Sequence, residues 1–182
     1  MLRKLKYDEI LSERKTIEDF KLIEKHPITV ILHNIRSMYN VGSFFRTCDS
    51  ALIEELILTG YTPYPPRSEI DKTALGATKT VSWKYSKNIL TEIQEQKAQG
   101  KKIFAVELTN KKRYYDSLEK EDYPLCLIFG NELSGLDDDV IENCDDSIEI
   151  PMYGVKHSLN VSVSGGISIY EAVKAYRYFY NK

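Results

Sequence analysis

Short apolar runs rich in β-branched residues alternate with segments of helical period along most of this chain. That alternation is what most constrains the fold. Ile28–Leu32, Glu55–Leu58, Val81–Tyr85, Lys102–Leu108, Leu125–Phe129 and Ser147–Ile150 each read as a strand. Asn40 is placed as the N-cap of a helix, with Val41, Phe44, Phe45, Cys48 and Leu52 at helical spacing behind it. Asn88 caps a helix through Ile89, Leu90 and Ile93 that stops at Gly100, and Asp137–Glu142 forms a short helix with acids in its first turn. A long helix runs from about Ser158, with Ile169, Ala172, Val173, Tyr176, Phe179 and Tyr180 on its apolar face. Strands that alternate with helices predict an α/β fold, a mostly parallel sheet flanked by helices. Residues 1–27 read as a charged, helical N-terminal extension closed at His26-Pro27, and residues 28–182 as a single domain.

The chain has 182 residues and a net charge of −2, which taken whole gives no reason to expect a polyanion partner. Its charges are segregated, however. Residues 67–113 carry 11 basic and 5 acidic side chains, whereas residues 114–150 carry 1 basic and 12 acidic. Either the basic block survives folding as a field for nucleic acid, or the two blocks neutralise each other. No apolar run approaches the roughly 18 residues of a membrane span, and the N-terminus has no apolar signal core. The cysteines (Cys48, Cys126, Cys144) are odd in number and lie in or beside apolar segments, which points to free thiols in a cytoplasmic protein. No Cys/His spacing suits a metal, and His26, His33 and His157 are far apart. The glycine fingerprints of dinucleotide and P-loop sites are absent, which counts against an oxidoreductase or another nucleotide-binding α/β domain.

Ligands of open parallel sheets sit beyond the carboxyl ends of the strands, so the loops after strands carry the argument. Three stand out. Asn34–Thr47 gathers Asn34, Arg36, Asn40 and Arg46 around a helix start, where backbone N–H groups attract anions. A capped helix with a solvated arginine would look the same. Gly130–Leu136 (GNELSGL) brackets Glu132 with glycines directly after an apolar strand; alone it is an ordinary turn. Ile150–Val163 (IPMYGVKHSLNVSV) opens a helix on small polar residues, and Gly165-Gly166 follow inside that helix, where something must approach closely.

In this order and spacing, the three segments resemble the SpoU/TrmH family of the SPOUT superfamily, RNA ribose 2′-O-methyltransferases that use S-adenosylmethionine (SAM). The likeness runs from about Ile28 to Tyr178. It implies a C-terminal trefoil knot, an exception to the rule that chains do not thread. It also implies a homodimer with its active site near the subunit interface, a tRNA or rRNA substrate, and no metal. By the resemblance, Leu108, Thr109, Gly130, Ile150, Met152, Ser158 and Leu159 would line the cofactor pocket. Asn40, Arg46, Glu132, Ser158 and Asn160 would form the catalytic set. Arg36 and Arg46, with Lys72, Lys79 and Lys84 of the basic segment, would meet RNA. The family suggests Arg46 as the base. A guanidinium stays charged at any ordinary pH, so binding the neighbouring phosphate and steadying an alkoxide is the plainer role. An inactive RNA-binding relative and a base-methylating relative are the alternatives.

Overall fold

A computed structural model describes residues 2–12, 16, 19 and 22–182. The elements are α1 (Tyr7–Ser12), β1 (His26–His33), α2 (Met38–Ser50), β2 (Ile53–Thr59), α3 (Ser68–Ala74), β3 (Trp83–Ser86), α4 (Ile89–Ala98), β4 (Lys102–Val106), β5 (Leu125–Phe129), α5 (Asp138–Glu142), β6 (Asp146–Ile148) and α6 (Val161–Tyr180). The strands form one six-stranded sheet in the order β3-β2-β1-β5-β4-β6, and every neighbouring pair is parallel.

The centre of this sheet is apolar on both faces, as parallel sheets covered by helices require. Along β1, Ile28, Val30 and Leu32 face one core with Phe44, Phe45, Ile169 and Ala172. Ile31 faces the other, with Ile93 of α4, Ile103, Ile128 and Val140 of α5. The two-residue alternation of a strand thus splits one apolar run between two helical layers.

Two helix contacts depend on glycine. A Cβ at Gly42 of α2 would lie 2.1 Å from Thr73 Oγ1 and 2.3 Å from the Ile70 carbonyl oxygen of α3. A Cβ at Gly165 of α6 would lie 2.3 Å from the Phe44 ring, so Gly165 lets α6 close on α2. Gly166 has nothing within 4 Å of its Cβ position, so the expected close approach holds for only one glycine of the pair.

Several sequence expectations need correction. The N-terminal extension contains a described helix of only six residues, which buries none of them. Leu2, Leu5, Leu11 and Leu22 are exposed, and Ile17 and Phe20 of the same extension lie outside the described residues. His26 begins β1 instead of ending a helix. The cap of α2 is Ser37, whose side chain accepts the Asn40 N–H, so Asn40 sits inside the first turn. α3 follows a proline loop and was not anticipated. α6 starts at Val161 with Asn160 as its cap, three residues beyond Ser158. β4 stops at Val106, because the Glu107 carboxylate takes the Leu108 N–H (2.9 Å). Cys48 and Cys126 are buried and Cys144 is half-buried; all are free thiols. Burial raises all three, Cys144 to about 11, so none is a nucleophile at neutral pH. Among the described residues no helix is long and apolar enough to cross a membrane, and no group of side chains could hold a metal ion.

Candidate active site

The carboxyl edge of the sheet brings three loops together, those after β1, β5 and β6. Glu132, from the loop after β5, reaches back to the start of α2. Its carboxylate accepts the backbone N–H groups of Arg36 (2.9 Å) and Ser37 (3.0 Å) and the Asn40 side-chain amide (2.9 Å). Two of these donors are backbone N–H groups at and just before the helix cap Ser37, and a carboxylate there also meets the positive end of the helix dipole. Burial by itself would raise the Glu132 carboxyl. The bonds from Arg36, Asn40 and Ser37 together outweigh it and hold the carboxyl below the ordinary range.

The polar chain continues into the last helix. Asn40 Oδ1 accepts from Asn160 Nδ2 (3.3 Å), and Asn160 Oδ1 accepts from the Ser162 N–H (2.9 Å) and hydroxyl (2.7 Å). Each amide therefore has its oxygen and nitrogen assigned by its neighbours. Glu132, Asn40 and Asn160 form one relay whose members come from three distant parts of the sequence.

A second polar layer beneath the relay was missed in the sequence. Asn131 donates to the Asn34 carbonyl (2.9 Å) and to the Tyr61 hydroxyl (2.8 Å), while its oxygen takes the N–H groups of Leu133 (2.8 Å) and Ser134 (3.0 Å). Asn34 adopts φ 56° and bridges His33 Nε2 (3.0 Å) and the Tyr61 N–H (3.1 Å). The remaining His33 nitrogen meets Thr59 Oγ1 (2.9 Å). Burial lowers His33, with only partial opposition from Asp137 and Asp139, so the imidazole is neutral near pH 7. Asn34 at a strand end is the one signal in the sequence for this layer, since asparagine tolerates the left-handed region. Gly130 belongs to the same turn: a Cβ there would lie 2.5 Å from the Gly135 backbone.

Beside the relay is a slot of about 90 Å³, lined by Val106, Leu108, Ile148, Ile150, Met152, Ser158 and Leu159, with Glu107 at its wall. Five of the seven residues expected to hold the cofactor lie here. Thr109 stands outside, hydrogen-bonded to Ser147 (2.7 Å) and the Lys111 carbonyl (3.0 Å), and Gly130 shapes the adjoining turn. The lining also includes Glu149, His157 and Ser164, and apolar walls with a few polar groups suit a heterocycle with polar edges. The slot has room for part of a nucleoside-sized group, the rest lying at its open side.

Arg46 lies elsewhere. It is exposed on α2 and its side chain has no partner among the described residues. With Ser43, Thr47, Ser50, Lys72, Thr73 and Tyr170 it lines a separate cleft of about 450 Å³ that contains no acid. Lys72 and Lys79 are exposed, and Arg36 is exposed at the relay. Lys84 is bound to Glu92 (2.9 Å) and Glu95 (3.4 Å). The basic block as a whole is partly consumed: Lys97, Lys101, Lys111 and Arg113 also sit in ion pairs.

The SpoU rRNA Methylase family model matches residues 27–170, which include all three loops. The chain belongs to this family. It is 32% identical over 146 residues to the tRNA (guanosine(18)-2′-O)-methyltransferase of Aquifex aeolicus, covering 80% of this chain and 68% of the relative. It is 31% identical over 155 residues to the 23S rRNA (guanosine-2′-O-)-methyltransferase RlmB of Vibrio vulnificus, covering 84% of this chain. The chain spans only 62% of that RlmB and 63% of the one from Vibrio parahaemolyticus. Among solved structures, the A. aeolicus TrmH/SpoU tRNA modifying enzyme superposes with a TM-score of 0.80 at 27% identity, covering 96% of this chain and 85% of that one. An AdoMet-bound rRNA methyltransferase from Sinorhizobium meliloti gives 0.77 at 26% identity, covering 83% of this chain and 57% of that one. The parallel sheet is thus shared with solved members of the SpoU family.

Proposed function

We propose that this SpoU-family chain is a SAM-dependent RNA methyltransferase that modifies a ribose 2′-hydroxyl of tRNA or rRNA. The observation that carries the reading is the Glu132–Asn40–Asn160 relay, set beside an apolar slot at the carboxyl edge of the sheet. Three of the five residues that the resemblance implies as the catalytic set meet in it, while Ser158 lines the slot and Arg46 a separate cleft. Residues 28–182 are the methyltransferase domain in this reading, and residues 1–27 an extension to it.

Leu108, Ile150, Met152, Ser158 and Leu159 would hold SAM in the slot, with Thr109 and Gly130 shaping the loops around them. When bound, SAM supplies an electrophilic methyl group. Transfer to an oxygen is an in-line displacement, so catalysis rests on placing the ribose and easing loss of its proton. Asn160 and Asn40 present amides in fixed orientation to the ribose, and Glu132 holds Asn40. The Arg46 guanidinium keeps its charge, binds the phosphate beside the target and stabilises the developing alkoxide. Arg36, Lys72 and Lys79 extend the contact to the RNA backbone. Lys84, already paired, is the weakest of the cations in that role.

Two further parts of the reading concern assembly. Arg46 and the slot line separate clefts of one chain, and Tyr170 on the open face of α6 shares the cleft of Arg46. We take this α2–α6 face as the interface of a homodimer that would complete a divided site. The chain also returns from edge strand β6 to pack α6 on α2, and we take this return as part of the C-terminal trefoil knot that the resemblance implies. A cytoplasmic location goes with RNA as substrate and with free thiols.

The test uses methyl-labelled SAM and total unmodified RNA, with wild type and Arg46→Ala in parallel, followed by digestion to nucleosides. Label on a ribose 2′-oxygen, lost in the variant, is the expected result. Label on a base would overturn the ribose assignment. No transfer despite SAM binding would turn the reading into that of an inactive RNA-binding relative.

A further inference from the structure

Three tyrosines at the carboxyl edge of β2 and β3 are exposed yet held in place. Tyr61 is 61% exposed, and its hydroxyl and backbone N–H are tied to Asn131 (2.8 Å) and Asn34 (3.1 Å). Tyr64 and Tyr85 lie ring against ring, with centroids 4.6 Å apart and planes tilted by 38°. The Tyr85 hydroxyl donates to the Gly60 carbonyl (2.6 Å). Large aromatic surface left in water has a cost, and here the bonds hold the rings outward. Tyr61 is also linked through Asn131 to the residue beside Glu132, so the patch abuts the relay.

Basic charge prevails near the rings in the sequence, with Glu69 the first acid beyond Arg67. Gly60–Arg67 contains no acid, and Arg67 and Lys87 at its margins are exposed, with no ion pair among the described residues. Fixed aromatic faces flanked by free cations suit an unpaired nucleobase with its phosphates: the base stacks and the backbone meets the charge. A folded protein partner needs a larger apolar area than one ring and one stacked pair offer.

We propose that Tyr61 and the Tyr64/Tyr85 pair form a stacking platform for unpaired bases of the RNA substrate, next to the site of methyl transfer. The platform rests on the RNA-methyltransferase reading and adds to it that the target lies in a loop or single-stranded region. Recognition by stacking tolerates many bases, so the platform would select RNA shape more than sequence.

The experiment measures binding of a fluorescein-labelled RNA hairpin with an unpaired loop, and of the same stem as a blunt duplex, to the full chain at fixed salt. Tyr61→Leu and Tyr64→Leu should each weaken hairpin binding about five- to tenfold. Tyr61→Phe and Tyr64→Phe should stay within about twofold of wild type, since the rings remain. Duplex and SAM binding should be unchanged in all four. Hairpin binding as tight in the leucine variants as in wild type overturns the platform. So does a loss in Tyr61→Phe as large as in Tyr61→Leu, which would assign the effect to the hydroxyl anchor on Asn131. Wild type that binds SAM but neither RNA would defeat the RNA reading itself, and the platform would fall with it.

Discussion

Arg113 and Arg46 carry the same guanidinium and meet opposite surroundings. Arg113 is half-buried; it binds Asp146 (2.9 Å), Asp122 (2.5 Å) and the Ser117 carbonyl (3.1 Å), and it lies 4.9 Å above the Phe104 ring. It fastens the chain after β4 to the start of β6, and its charge is used up inside the fold. Arg46 stands on the exposed side of α2 with no side-chain partner among the described residues, beside Lys72, in a cleft whose described lining holds no acid. The charge blocks of the sequence divide the same way. Part of the basic segment is cancelled by acids of the following one, through Arg113, Lys111 and Lys97. What remains for a polyanion is the smaller set that the fold leaves unmatched.

This contrast makes predictions of different size. The largest concerns Arg46→Ala, expected to lower methyl transfer at least 100-fold, about what loss of a transition-state charge partner costs, with the thermal midpoint unmoved. Label incorporation and a melting curve on the same preparation check both halves. Arg113→Ala should do the reverse. It strands the shielded Asp122 carboxylate and leaves Asp146 to Lys111 alone, so denaturant unfolding should show a loss of about 2–4 kcal/mol, while turnover per folded molecule stays near wild type.

Glu132→Gln falls between the two. A glutamine offers one acceptor where the carboxylate meets three donors, so stability should drop by about 1–2 kcal/mol and activity about tenfold. That stability difference should depend on pH. The Glu132 carboxyl is depressed in the folded chain, so its contribution is complete above the ordinary value near 4.3 and fades as pH falls through the lower folded value. Unfolding curves of the two proteins should therefore converge on acidification below about pH 4. The smallest effect is that of Asn160→Ala on stability, about 1 kcal/mol for a lost helix cap, with activity falling further than that cap alone explains.

The central strands were readable because they are short, apolar and buried on both faces, and Leu125–Phe129 matches to the residue; edge strand Trp83–Ser86 is only partly buried, and its bounds shift from the expected Val81–Tyr85. Helix starts were harder. Ser37 and Asn40 both suit a cap, and only the arrival of Glu132 from 92 residues away decides which one does it. The relay members were legible as a set through the family's spacing, but the bonds among them were not, because they join loops that periodicity treats as separate. The Asn131 layer escaped altogether: a lone asparagine after Gly130 looks like part of a turn. The position of Arg46 in its own cleft also came only from the structure, since a helical wheel shows exposure and not the neighbour across from it.

The relay has a temporal side. Asn160 both starts α6 and closes the link to Asn40, across 120 residues of chain. Contacts of such sequence separation form late, because the intervening loop must first be ordered. A nascent chain that has completed the sheet but not docked α6 would hold Glu132 against α2 and still lack the amide that finishes the site. Catalytic competence would then arrive with the last helix to dock, and an unfinished copy could not act on RNA while the chain is still being made.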